Sequence, residues 1–184
     1  MPVVWIVVIA IVVLIIMYII STYNSLVHLR NNVAAQFANI DVCLKKRFDL
    51  IPNLVETIKG YAKHEKETFT AVVEARNKYQ TANTPEEKME ADSELTKGLS
   101  KLFALAEAYP ELKASENFMQ LQGELDKVEE DIAIQRKAYN EAVRIYNGKV
   151  QYFPSNIVAK MFHFEVAKFF EAAAVERENV KVQF

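Results

Sequence analysis

The run Val3 to Ile20 (VVWIVVIAIVVLIIMYII) holds no charge, Gly or Pro, and no other feature constrains the chain as much. At about 1.5 Å per helical residue it reaches roughly 27 Å, close to the ~30 Å hydrocarbon core of a bilayer. Trp5 and Tyr18 stand near its ends, where amphipathic rings favour the interface. A cleavable signal peptide would carry a basic start and a small-residue cleavage site, whereas Met1 and Pro2 precede the run and Ser21 and Thr22 follow it. A core helix would keep a polar face. The run therefore predicts a single transmembrane anchor over residues 1–22. Arg30, then Lys45, Lys46 and Arg47, lie on its C-terminal side, with no Lys or Arg before it. Positive-inside logic thus predicts a single-pass protein of the cell membrane, its N-terminus outside and the bulk of the chain cytoplasmic. Long domains can cross regardless of charge, so the opposite topology stays open.

Past the anchor, apolar residues recur at three- and four-residue spacing, the period of a helix with one buried face. Leu26, Arg30, Val33, Phe37, Ile40, Leu44 and Phe48 form the first stripe, continuing directly out of the membrane. Asp49-Leu50-Ile51-Pro52 interrupts it, because Pro52 cannot donate and disfavours helical geometry at Ile51. A turn or a kink belongs there. The second stripe runs Leu54, Ile58, Tyr61, Glu65, Phe69, Val72, Arg76 and Tyr79. Thr84-Pro85-Glu86-Glu87 reads as an N-cap, a first-turn proline and acids suited to the helix dipole. The third stripe, Leu95, Leu99, Leu102, Ala106 and Tyr109, follows it and ends near Pro110. The longest stripe, Phe118 to Val150, keeps heptad-like, coiled-coil spacing as far as Phe153-Pro154.

Four Gly and five Pro in 184 residues are few for a chain of short strands and turns. The expected class is all-α. Short links make neighbouring helices antiparallel, so the expected architecture is the anchor continuing into an up-and-down four-helix bundle over residues 23–153, with a Phe-rich segment and tail over 154–184. If Pro52 only kinks one helix, three helices remain. A net charge of −2 and a pI near 6.0 offer no cationic field, which argues against nucleic-acid binding. Cys43 has no second thiol for a disulfide or zinc motif.

The most distinctive local pattern is Tyr-Asn-x-x-Val, at Tyr23-Asn24, Tyr139-Asn140 and Tyr146-Asn147. The last two copies are one heptad apart, and in the bundle Tyr23 and Tyr146 are expected to face each other near its base. Aromatic residues at that spacing pack between helices, with hydroxyl and amide free to hydrogen-bond a neighbour. Together with the anchor, Leu29-Arg30-Asn31, Ile40-Asp41-Val42, Leu44-Lys45-Lys46-Arg47, Asp49 to Val55, Lys59-Gly60-Tyr61, His64-Glu65 and Phe153-Pro154, these motifs resemble the LemA family in content and order, through about Phe170. The resemblance implies a bacterial membrane protein with one N-terminal span and a helical-bundle domain of no established biochemical activity. The chain departs from the family pattern at Phe37 (often Trp), Cys43 (often Gln) and His163 (often Gly).

Glu65, Arg136, Arg30 and Arg76 fall on otherwise apolar stripes, so each is expected to need a partner. Glu65 and Arg136 lie at similar heights in the expected bundle and are predicted to pair as a structural polar core. His64-Glu65-Lys66-Glu67-Thr68 lacks the second histidine of a helical zinc-protease motif. His28, His64 and His163 are far apart, and neither a phosphate loop nor a nucleophile elbow is present. No enzyme activity, metal or cofactor is expected. The segment from Ser155 to Ala174 brings Met161, Phe162, Phe164, Phe169 and Phe170 toward the base of the bundle as a candidate contact surface. Those rings could cover the base, join a neighbouring subunit or dip into the bilayer interface. The expected function is a non-catalytic, self-associating scaffold or adaptor that meets the lipid bilayer and other membrane proteins. The rival is a sensor that binds a ligand or proton within the bundle.

Overall fold

The computed structural model describes residues 2–62 and 66–171. The described residues form six helices: α1 (Pro2–Lys59), α2 (Lys66–Thr81), α3 (Pro85–Glu107), α4 (Pro110–Lys113), α5 (Glu116–Gln151) and α6 (Ser155–Met161). No strand occurs among the described residues. By compactness the chain divides into two units, Met1–Ala38 with Lys137–Phe169, and Asn39–Arg136 with the segment from Phe170. Helices α1 and α5 contribute to both.

In the first unit α1 carries the apolar run, whose large side chains from Val3 to Tyr18 are exposed. It is the one helix among the described residues long and apolar enough to cross a membrane. Burial on one face of the helix begins at Thr22 and Leu26. Val33 and Phe37 continue that inward face, and Tyr139, Val143 and Tyr146 of α5 are buried in the same unit.

In the second unit α1 passes Pro52 without interruption, which settles the expected turn or kink in favour of one helix as far as Lys59. Proline in a helix interior costs about 3 kcal/mol. Against this, Ile51, Leu54, Val55 and Ile58 are all buried, and each such side chain contributes about 1.5–3 kcal/mol when removed from water. Tertiary burial outweighs the local rule. The helix closes where the N–H groups of Tyr61 and Ala62 both donate to the carbonyl of Ile58.

Helix α3 begins as its sequence predicts. Thr84 accepts from the Glu87 N–H, and the Glu87 carboxylate accepts from the Thr84 N–H, a reciprocal capping box with Pro85 in the first turn. The backbone N–H groups of Asn83 and then Thr84, both donating to it, hold the Glu87 carboxyl below its ordinary range. Helices α2 and α3 pack against each other. A Cβ placed on Gly98 of α3 would lie 2.9 Å from Cγ2 of Val72 on α2, so a larger residue there would have to displace that side chain.

Candidate functional site

Past Met161 the chain turns and runs extended from Phe164 to Glu171. The turn is made at His163, whose φ of 56° lies in the left-handed region that favours glycine. This is the position at which the resemblance leads one to expect Gly, and the geometry explains that preference.

Helix α5 holds the extended segment through three side chains of the Tyr-Asn motifs. The Asn147 amide pairs with one residue at both ends: Nδ2 donates to the Ala167 carbonyl at 2.9 Å, and Oδ1 accepts from the Ala167 N–H at 2.8 Å. The Tyr146 hydroxyl donates to the Glu165 carbonyl at 2.8 Å, and the Tyr139 hydroxyl to the Lys168 carbonyl at 2.9 Å. The heptad has a geometric reason. Seven helical residues rise about 10.5 Å, and three extended residues span about 10 Å. Two tyrosines one heptad apart therefore meet carbonyls three residues apart, with the segment running antiparallel to α5. Burial pushes the Tyr146 phenol above its ordinary range, so it stays a donor.

The first motif copy joins the same segment by its ring. Tyr23 meets Phe162 and Phe164 edge-on, with centroids 4.8 and 5.7 Å apart, and the Arg30 guanidinium lies 5.3 Å from the centre of the Phe164 ring. Tyr23 and Tyr146, expected to face each other, thus both engage the C-terminal segment. Arg30, expected in a polar core, is exposed and uses a ring as its partner. Asn24 is exposed and Asn140 half-buried. Of the candidate contact surface, Phe164 is buried, whereas Met161, Phe162 and Phe169 are exposed.

The second unit contains a buried charge cluster. Asp92 of α3 is fully buried and takes two guanidiniums, Arg47 of α1 on Oδ1 at 2.6 Å and Arg136 of α5 on Oδ2 at 2.5 Å. Arg47 also pairs with Glu129 of α5 at 2.6 Å. The Arg136 guanidinium further lies 4.7 Å from the centre of the Phe170 ring, which is buried. Beside this cluster Tyr79 donates to Asp41 at 2.8 Å and stacks on Phe48, while Lys88 pairs with Asp41 at 2.7 Å. Burial, the Asp41 hydrogen bond and neighbouring carboxylates push the Tyr79 phenol far above its ordinary range.

Arg136 therefore pairs with Asp92 in a buried polar cluster. Glu65, the partner predicted from sequence, lies outside the described residues. Arg76 is half-buried and lines a surface groove with Pro52, Val55 and Lys59. Arg47 and Asp92 were missed by sequence reasoning, although both stand on apolar stripes, Arg47 three residues after Leu44 and Asp92 three before Leu95. Cys43 is buried, and burial, helped by Asp131, raises its thiol above its ordinary range. Among the described residues no three His, Cys, Asp or Glu side chains are grouped to hold a metal.

Over residues 36–184 the chain matches the model of the LemA family. It is 25% identical over 158 residues to a protein named Protein LemA from Metamycoplasma hominis, covering 85% of this chain and 72% of that one. It is also 26% identical over 175 residues to Magnetosome protein MamQ 2 of Paramagnetospirillum magneticum, covering 81% of this chain and 64% of that protein. MamQ 1 of the same organism matches equally well. With the family model covering the extended segment and the α5 residues that hold it, this chain belongs to the LemA family.

Proposed function

We propose that the protein is a membrane-anchored, non-catalytic scaffold or adaptor that self-associates. In this reading α1 spans the cell membrane and continues into an up-and-down four-helix bundle made from α1, α2, α3 and α5, on the cytoplasmic side. Support for the bundle comes from Arg47, whose guanidinium joins α1 to α3 and α5, and from Tyr79, which joins α2 to α1. The cytoplasmic placement rests on the basic residues that follow the span.

The observation that carries the scaffold reading is how the motif side chains are used. Tyr139, Tyr146 and Asn147 direct their polar atoms at the chain's own backbone. Their effect is to fix a segment on which Phe169 is exposed, and Met161 and Phe162 just before that segment are exposed as well, apolar side chains suited to another protein. The match to the LemA family and the similarity to magnetosome proteins support a membrane-associated helical protein.

The test is the mass of the full-length protein in mild detergent, with and without Phe169→Ser and Met161→Ser. Species larger than a monomer, reduced by these substitutions, are expected. A strictly monomeric protein across the accessible concentration range overturns self-association. A melting shift on adding a small molecule, with no change in assembly, would favour a sensor instead.

A further inference from the structure

Outside the membrane-spanning run, the most exposed large apolar side chains among the described residues are neighbours, Tyr152 at 71% and Phe153 at 79%. They form the corner between α5 and α6, and that corner is tightly held. The Tyr152 N–H donates to the Gly148 carbonyl at 2.8 Å, and the Asn156 N–H to the Tyr152 carbonyl at 2.9 Å. The Ser155 hydroxyl lies 2.7 and 2.9 Å from the carbonyls of Lys149 and Tyr152. The Tyr152 ring lies so close over Gly148 that a Cβ there would meet it at 3.2 Å. Two large rings are thus presented to solvent by a hydrogen-bonded frame, which is unfavourable in water by about 1.5–3 kcal/mol for each ring that could otherwise be buried.

The groove of about 460 Å³ beneath this corner names the occupant, for Tyr18 of α1 lines it together with Tyr152, Phe153 and Lys149. Tyr18 belongs to the apolar run, two residues before its end at Ile20. If α1 spans, Tyr18 sits at the boundary between acyl chains and headgroups, so a groove that Tyr18 lines reaches this boundary and, with Leu29 also on its wall, runs from there along the headgroup side. The composition suits that depth: a tyrosine and a phenylalanine for the boundary, and a lysine whose stem can lie along it while its ammonium reaches headgroup phosphates. Phe162 contacts Tyr23, five residues farther along α1, so α6 leads away from this level.

We infer that the Tyr152-Phe153 corner is a second membrane contact, inserted into the interfacial layer of the same bilayer that α1 crosses. The inference rests on the reading of α1 as a span. Two attachments to the bilayer would restrain rotation and tilt of the anchored helix, which one span alone does not.

Tryptophan fluorescence separates the two readings, because Trp5 is the protein's single tryptophan. The full-length chain is reconstituted in phosphatidylcholine vesicles, with and without lipids brominated near the headgroup end of the acyl chains. Native Trp5 reports the span, and the variant W5F/F153W reports the corner, with W5F/Y152W as the second probe should the first fold poorly. Expected for both corner probes are blue-shifted emission, loss of intensity with brominated lipid and protection from aqueous acrylamide. A corner tryptophan quenched by acrylamide and indifferent to brominated lipid, while Trp5 responds to the lipid, overturns the second contact and leaves the span standing. One shielded from both quenchers would be covered by protein, which equally overturns it. A Trp5 indifferent to brominated lipid overturns the span and the inference with it.

Discussion

The side-chain amide of Asn147 and the backbone of Ala167 form a two-bond pair, each donating to and accepting from the other. In this arrangement a side chain does for an extended segment what a neighbouring strand does in a sheet. An amide is needed because only it offers a donor and an acceptor on one planar group. Asn147→Ala removes both bonds and is expected to destabilise the protein by about 1–3 kcal/mol. Asn147→Asp keeps the acceptor but sets a buried carboxylate oxygen against the Ala167 carbonyl, acceptor to acceptor, and should lose at least as much. Amide hydrogen exchange provides the local check: protection at Ala167 should fall sharply in Asn147→Ala while that of Leu95 and Leu99 is retained. Unchanged protection at Ala167 would show that the segment is held by other contacts.

Asp92 joins α3 to both α1 and α5 through Arg47 and Arg136. Removing one partner of a buried charge pair leaves the others uncompensated, which typically costs about 3–5 kcal/mol. Asp92→Ala is expected to show a loss of that size in urea unfolding. Arg47→Met alone should also be severe, since it strands Asp92 with a single cation. Replacing the cluster by apolar residues, Asp92→Leu with Arg47→Met and Arg136→Met, should recover most of the loss, because Glu129 is 37% exposed and can be solvated. Additive losses across the triple variant would mean that the three residues do not act as one network.

How far such a structure can be read from sequence depends on whether the determining contact is periodic. Leu26, Ile40, Leu44, Ile58, Leu95 and Leu102 are all fully buried, and each stood on a helical stripe. The start of α3 was equally legible, because the Thr84 to Glu87 cap is local. Arg47 and Asp92 carried the same periodic signal, but a charge on an apolar stripe was sought on other positions. Pro52 obeys the opposite logic: a local breaker lies inside α1 because its neighbours are buried. The extended segment had no signature of its own. Its carbonyls and N–H groups are what α5 recognises, and backbone atoms are common to every sequence. Only the heptad between Tyr139 and Tyr146 hinted at the match.

Gly98 illustrates a choice between two effects of opposite sign. Alanine at this mid-helix position would gain about 1 kcal/mol in helix propensity. Its Cβ would meet Cγ2 of Val72 at 2.9 Å, and Val in a helix has almost no alternative rotamer to retreat into. Overpacking of this kind costs about 1–3 kcal/mol, so Gly98→Ala should be neutral to destabilising by about 2 kcal/mol, never stabilising. Combining it with Val72→Ala relieves the clash. The double variant should therefore be more stable than the sum of the single losses predicts, by about 1 kcal/mol in a double-mutant cycle.

Tyr79 makes stability depend on pH on the alkaline side. Burial first, then the hydrogen bond to Asp41, raise its phenol far above the ordinary value in the folded protein, whereas in the unfolded chain it titrates near pH 10. The folded state thus binds this proton more tightly than the unfolded state does. Linkage gives the sign: the contribution is complete below about pH 10 and is lost progressively as pH rises above it toward the folded value. Tyr146 acts in the same direction, since its phenol is also raised. Tyr79→Phe removes the larger contribution and leaves Lys88 on Asp41. It is expected to lose about 1 kcal/mol near neutral pH, the worth of one hydrogen bond. Above pH 10 the gap from the parent should narrow, because the parent then loses stability that the variant never had. Urea midpoints of both proteins, measured from about pH 8 to about pH 11, provide the check, and parallel curves across that range would show that Tyr79 does not hold its proton against ionisation.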